Sequence, residues 1–259
     1  MEGNVKEIMK AMFIIFVLVL LALLSVYLLS GFAWRKIDVI SSDTAEYIRK
    51  RGNPDFDIDI FRRQMRILLK EQQFLKDNRV IFHTPLYSRL KNQSSLNAHT
   101  GFPGHKILFF NPEWALRLYP EFCQSKDCSG RGTVTDFFVF ALGHEMTHKE
   151  AQYKPIFLFG KKSVACDWVR EICADFGGIR KSKMPPERVI TAIKTEIPVK
   201  YRKFSSKNTR SKMRRHPSWE YRIMCMENGL DVNEVVDRVC RDCGVNDVKF
   251  RERLKKKFS

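Results

Sequence analysis

TDFFVFALGHEMTHKE, residues 135–150, joins a strongly apolar approach to two histidines four positions apart. On a helix, residues at that spacing stand on one face a turn apart, so His144 and His148 can both reach a single ion. Glu145 falls between them in sequence and points beside the metal, where it can take a proton from water. The run FFVFALG is apolar all round, as expected of a helix at the centre of a domain. Gly143, next to the first histidine, leaves room for close packing. Thr133 or Thr135 can cap the start of this helix.

A second helical pattern, VACDWVREICADFGG, follows and is expected to end at Gly177 and Gly178. It offers Glu171 and Asp175, again four apart and on one face. Glu171 can complete a catalytic set of two histidines and one glutamate, with water or substrate in the fourth position, which implies one zinc ion per chain. Asp175 can accept a hydrogen bond from the far ring nitrogen of a ligand histidine and so hold its tautomer. An acidic pair on so apolar a background is costly to bury unless metal or hydrogen bonds satisfy it. Cys173 reads as a core cysteine.

Outward from these helices the pattern is mixed. NRVIFHTPLYSRL and HKILFF read as strands ahead of the metal helix. CQSKDCSGRG (123–132) reads as a polar loop, and Pro185 and Pro186 can open a helix over ERVITAIKTEI. Further helical patterns lie around 217–228, 231–242 and 246–257. The expected fold class is α+β: a zincin-type metallopeptidase domain, mainly helical with a small sheet, preceded by one transmembrane helix. Domain boundaries are placed at 1–10 for an N-terminal flank, 11–33 for the anchor and 34–94 for a linker with helix and strand. Residues 95–228 form the catalytic core and 229–259 a basic helical extension.

The anchor expectation comes from AMFIIFVLVLLALLSVYLLSGFA (11–33), which carries no charge over 23 positions. A helix of that length crosses a hydrocarbon core of about 30 Å. Basic residues after it place the main domain in the cytoplasm, and seven cysteines, an odd number, suit a reducing compartment. The formal net charge of +17 reads either as a solvated basic face or as a surface for anions, and beside an anchor lipid headgroups are the better of the specific partners over nucleic acid. Thirteen basic residues between Arg180 and Arg215 face only Glu187 and Glu196.

Four segments, taken in order, resemble those of the Ste24/HtpX-like membrane zinc metallopeptidases of the gluzincin group and their minimal single-domain relatives. LNAHTG (96–101) resembles the family's edge-strand segment, HEMTH its zinc helix, EICAD its Glu-x-x-Ala-Asp helix, and RHPSWEYRI (215–223) its His-Pro-x-x-x-x-Arg segment. The resemblance implies that backbone at Asn97 and Ala98 pairs with an extended peptide or protein substrate. It implies zinc on His144, His148 and Glu171, Glu145 as general base and proton donor, and Asp175 orienting His144. His216 would stabilise the anionic tetrahedral intermediate and Arg222 would support the site. His216 has a case of its own, since a helix start among cations favours an anion. Phe176 stands where the family commonly has arginine, and a single apolar span departs from its many-span members.

The expected function is thus a membrane-anchored zinc endopeptidase. The alternatives are a catalytically silent or latent zinc module at the membrane, and a basic nucleic-acid binder with a structural metal. The second would draw on Cys240 and Cys243 with Cys123 and Cys128. However, DVNEVVDRVCRDCG is helical in pattern up to its glycine. Oligomeric state has no signature in the sequence.

Overall fold

The computed structural model describes residues 9–10, 12–21, 39–83, 98–100, 106–124, 132–151, 161–199 and 216–258. Two helices open the folded part, α1 (Ser42–Arg51) and α2 (Ile58–Glu71). Ser41 caps α1 by accepting from the Thr44 amide, and Asp57 caps α2 by accepting from the Asp59 and Ile60 amides. Strands β1 (Arg79–Phe82), β2 (Ala98–Thr100) and β3 (Ile107–Phe110) form one sheet in the order β1-β3-β2. β1 runs parallel to β3, pairing Arg79 with Ile107, and β2 runs antiparallel to it, pairing Ala98 with Phe110. Then come α3 (Pro112–Gln124), α4 (Thr133–Glu150), α5 (Lys161–Ser182) and α6 (Pro186–Glu196), and finally α7 (Trp219–Glu227), α8 (Val232–Asp242) and α9 (Val248–Phe258).

β3 is the middle strand and buries all four residues, which is why it reads as a continuous apolar run rather than an alternating one. The period of two still divides its faces. Leu108 and Phe110 join the main core, while Ile107 and Phe109 pack with Ile81 on the other side. In the main core Phe138 of α4 is fully buried, with its ring 4.8 Å from Phe110, 5.4 Å from Trp114 and 6.0 Å from Phe82. Phe137, Val139, Phe140 and Leu142 are buried as well, so α4 is the central helix its all-round apolar sequence predicts. Residues from 39 to 82 belong to the same core, through Ile40, Phe56, Phe61, Met65 and Phe82.

The layout is mainly helical with a small sheet, but the membrane expectation is corrected. Among the described residues no helix is long and apolar enough to cross a membrane. Of the segment 11–33, residues 12–21 are described and helical. Residue 11 and residues 22–33 lie outside the described residues. The single-pass localisation and the membrane anchoring expected from that segment fall with it. The basic stretch 200–215 also lies outside the described residues. Of the basic residues before it, Lys181, Arg188 and Lys194 are paired with Glu150, Asp136 and Glu227.

Two local expectations change for tertiary reasons. Neither Thr133 nor Thr135 caps α4; Gly132 is its N-cap and makes no side-chain bond. The cap comes from α3, where Glu121 accepts from the Val134 amide at 3.0 Å and the Thr135 amide at 2.8 Å. A carboxylate there satisfies free N–H groups and suits the positive end of the helix dipole. Nor do Gly177 and Gly178 end α5, which continues to Ser182. They let it approach α4. A Cβ at Gly177 would lie 2.2 Å from Thr147 Oγ1, one at Gly178 3.0 Å from the Phe140 carbonyl, and one at Gly143 2.9 Å from the Gly178 carbonyl.

The opposite side of α5 carries a second core. Ala165, Trp168, Val169, Ile172 and Cys173 pack there with Cys225 of α7, Val235, Val236 and Val239 of α8, and Phe250 and Leu254 of α9. α5 is therefore sandwiched, with α4 on one side and the C-terminal helices on the other.

Candidate metal centre

The close crossing of α4 and α5 sets three side chains together. His144 Nε2 lies 3.0 Å from His148 Nε2 and 3.6 Å from Glu171 Oε2, and His148 Nε2 lies 3.3 Å from Glu171 Oε1. Four donors held tetrahedrally at about 2.0–2.1 Å from a zinc ion are about 3.3 Å from one another, so the spacing fits one such ion. The chemistry fits as well. Two imidazole nitrogens facing each other and a carboxylate in a buried site require a shared cation, either protons or a metal. His144, His148 and Glu171 thus form a cluster able to coordinate a metal ion.

The electrostatics follow from the packing. Burial works against the charged form of His144, but hydrogen bonds to Asp175 and Glu171 outweigh it and push its pKa up to about 9. Burial would raise the Glu171 carboxyl, yet hydrogen bonds from His144, His148 and His216 hold it well below the usual range. Glu145 is partly buried, and desolvation pushes its pKa up against the pull of both histidines.

Behind the cluster is a buried chain of charge. His144 Nδ1 donates to Asp175 Oδ1 at 2.9 Å, leaving Nε2 for the ion. Asp175 is fully buried and held by Arg222, whose Nε donates to Oδ2 at 2.7 Å and whose Nη2 donates to Oδ1. Burial would raise the Asp175 carboxyl, but the Arg222 charge and these bonds keep it low. Arg222 is 6% exposed and lies under the ring of Trp219 at 3.6 Å. Arg222 was expected from resemblance alone; Trp219 was missed. The signal for it was local, since Trp219 and Arg222 are three apart on α7 and so share a face.

His216 lies two residues before Ser218, the N-cap of α7, and its Nδ1 is 3.1 Å from Glu171 Oε2. The structure brings it to the cluster through that carboxylate, with its side chain 60% exposed. Ala98 opens β2, the strand at one edge of the sheet, and β2 packs on α4. Asn97 lies outside the described residues.

The cysteines go elsewhere. Cys240 is buried in the second core and Cys243 is the C-cap of α8. Cys123 is exposed on α3, and Cys128 lies outside the described residues. Among the described residues the only metal-competent cluster is the one on α4 and α5.

Comparison with known proteins adds no relative: no family model, no curated protein and no solved structure matches the chain. The class the site defines is a helical pair carrying a two-histidine, one-glutamate cluster able to hold a metal ion, an arrangement consistent with a zincin-type site.

Proposed function

We propose that the protein is a zinc-dependent endopeptidase, built like the Ste24/HtpX-like gluzincins. One observation carries the reading: a mutually spaced His144–His148–Glu171 set with Glu145 beside it on the same helix. A zinc ion held there would polarise a peptide carbonyl and acidify a water. His144, His148 and Glu171 leave one position of a tetrahedral set open for that chemistry. Glu145, its pKa raised by burial, takes the water proton and passes it to the leaving amine. Asp175 keeps the His144 proton on Nδ1, and Arg222 keeps Asp175 ionised. His216 Nδ1 lies 3.1 Å from Glu171 Oε2, a position at the cluster that suits a histidine donating to a developing oxyanion. β2 at the sheet edge suits a substrate laid down as an added strand.

The test is zinc per chain in the purified full-length protein, with Glu171→Ala beside it, and peptide hydrolysis with Glu145→Gln. Near one zinc per chain, much reduced in Glu171→Ala, is expected. Glu145→Gln should keep its zinc and lose hydrolysis. A folded wild-type chain that takes up no supplied zinc would sink the proposal.

A further inference from the structure

Among the described residues two arginines lie near the metal cluster, Arg222 behind it and Arg170 at its border. Arg222 is committed to Asp175 and to the ring of Trp219. Arg170 is in a different state. It precedes the ligand Glu171 on α5, and its side chain is 37% exposed. Its Nη2 is 3.8 Å from Glu171 Oε1 and 3.8 Å from Asp167 Oδ1, beyond hydrogen-bond distance from both. Its Nε is buried and has no hydrogen-bond partner among the described residues. A guanidinium carries five donors in a planar fork, and leaving a buried one unmade is costly.

The Glu171 oxygen nearest Arg170 is also the one nearest His148 Nε2, at 3.3 Å. The guanidinium therefore stands at the border of the cluster rather than behind it. With a divalent ion on two neutral histidines and one carboxylate, the cluster would carry one net positive charge, and Arg170 would be left with the loose ion pair to Asp167, at 3.8 Å, as its carboxylate contact. The free chemistry at this border is that of a cationic fork next to the place where a peptide carbonyl would be activated. Resting on the peptidase reading, we propose that Arg170 is a specificity-determining residue. It binds a carboxylate of the substrate, so the preferred peptides are acidic near the cleaved bond. Arg is suited to this because it meets the two oxygens of a carboxylate with two parallel N–H groups. The chain's formal charge of +17 draws the same substrates in.

The carboxylate has two sources, an Asp or Glu side chain and a free peptide C-terminus. Zinc-loaded full-length protein is incubated with four matched peptide pools. They carry Glu and Asp or Gln and Asn, and end in a free carboxylate or an amide; products are read by mass spectrometry. Cuts clustered beside Glu and Asp identify the side chain. Cuts near the C-terminus that disappear on amidation identify the terminal group. Either preference should be about 10- to 100-fold, the worth of a charged hydrogen bond, and should collapse towards one in Arg170→Gln. Zinc content is measured in both proteins, because an arginine that only balances the charge of Glu171 would change zinc binding and leave the acid-to-amide ratio alone. That result, or a wild-type enzyme indifferent to carboxylates, overturns the proposal.

A second arm separates it from the peptidase reading. Zinc-loaded Glu145→Gln is titrated with fluorescein-labelled octapeptides rich in Glu or in Gln, read by anisotropy. Preference for the Glu peptide that vanishes on adding Arg170→Gln supports the carboxylate site even if no pool is cut. Equal binding of the two peptides that is also unchanged when their C-termini are amidated rejects it.

Discussion

Asp175 has no exposed surface and stays ionised because Arg222 meets both its oxygens. Removing one partner of such a pair leaves an uncompensated buried charge. Arg222→Ala is therefore expected to destabilise the zinc-free protein by about 3–5 kcal/mol, read from urea denaturation. Asp175→Asn keeps the shape but weakens the hold on His144, and should lower zinc affinity about 10- to 100-fold in a competition titration with a chelator. Proton linkage can be read at the same residue. His144 is protonated in the zinc-free protein below about pH 9, and zinc needs its Nε2 free. Binding thus releases a proton through the neutral range, so affinity rises with pH up to about 9 and falls as pH drops. The expected slope is about tenfold per pH unit, measured by titration across pH 6–8 and by calorimetry in buffers of different ionisation enthalpy. A pH-independent affinity would contradict this.

α4 and α5 hold the cluster because three glycines bring their backbones together. Alanine at 177 would gain about 1 kcal/mol of helix propensity over glycine. Its Cβ, however, would press on Thr147, 2.2 Å from Oγ1 and 2.8 Å from Cβ, and that β-branched side chain has little freedom to turn away. Overpacking of this kind costs about 1–3 kcal/mol. Gly177→Ala should be destabilising by denaturation, with zinc affinity reduced as well, and adding Thr147→Ala should recover much of the loss. Simple addition of the two effects would mean the pair does not touch. The same crossing explains why Gly177 and Gly178 do not end α5. Glycine stops a helix where the chain must turn, but here the pair lies against a neighbouring helix that glycine alone lets in.

Across the whole molecule the two cores meet at α5, so the site depends on both. The cysteines report on the second core. Burial pushes the Cys173 and Cys225 thiols up to about 12, whereas Cys123 is exposed. Thiolate is the reactive form, so iodoacetamide at neutral pH should modify Cys123 well before Cys173 and Cys225, as followed by peptide mapping. Equal rates would show that α7, α8 and α9 do not stay closed over α5.

The chemistry of the centre was legible in the sequence because it is local. His144 and His148, and Glu171 and Asp175, are each four apart, and a helix alone puts such pairs on one face. The helix opening at Pro186 and the helical patterns around 217–228, 231–242 and 246–257 were legible in the same local way, while α1 and α3 went unread. The uncharged run suggested a membrane span at 11–33, whereas among the described residues no helix is long and apolar enough to cross a membrane. Only the tertiary structure decided the rest: that Glu121 caps α4, that Arg222 and Trp219 lock Asp175, that His216 reaches Glu171, and that the Arg170 Nε has no hydrogen-bond partner among the described residues. Each joins residues of different elements or depends on what packs around them. Spacing along one helix determines a face; which face of another helix meets it is determined by packing.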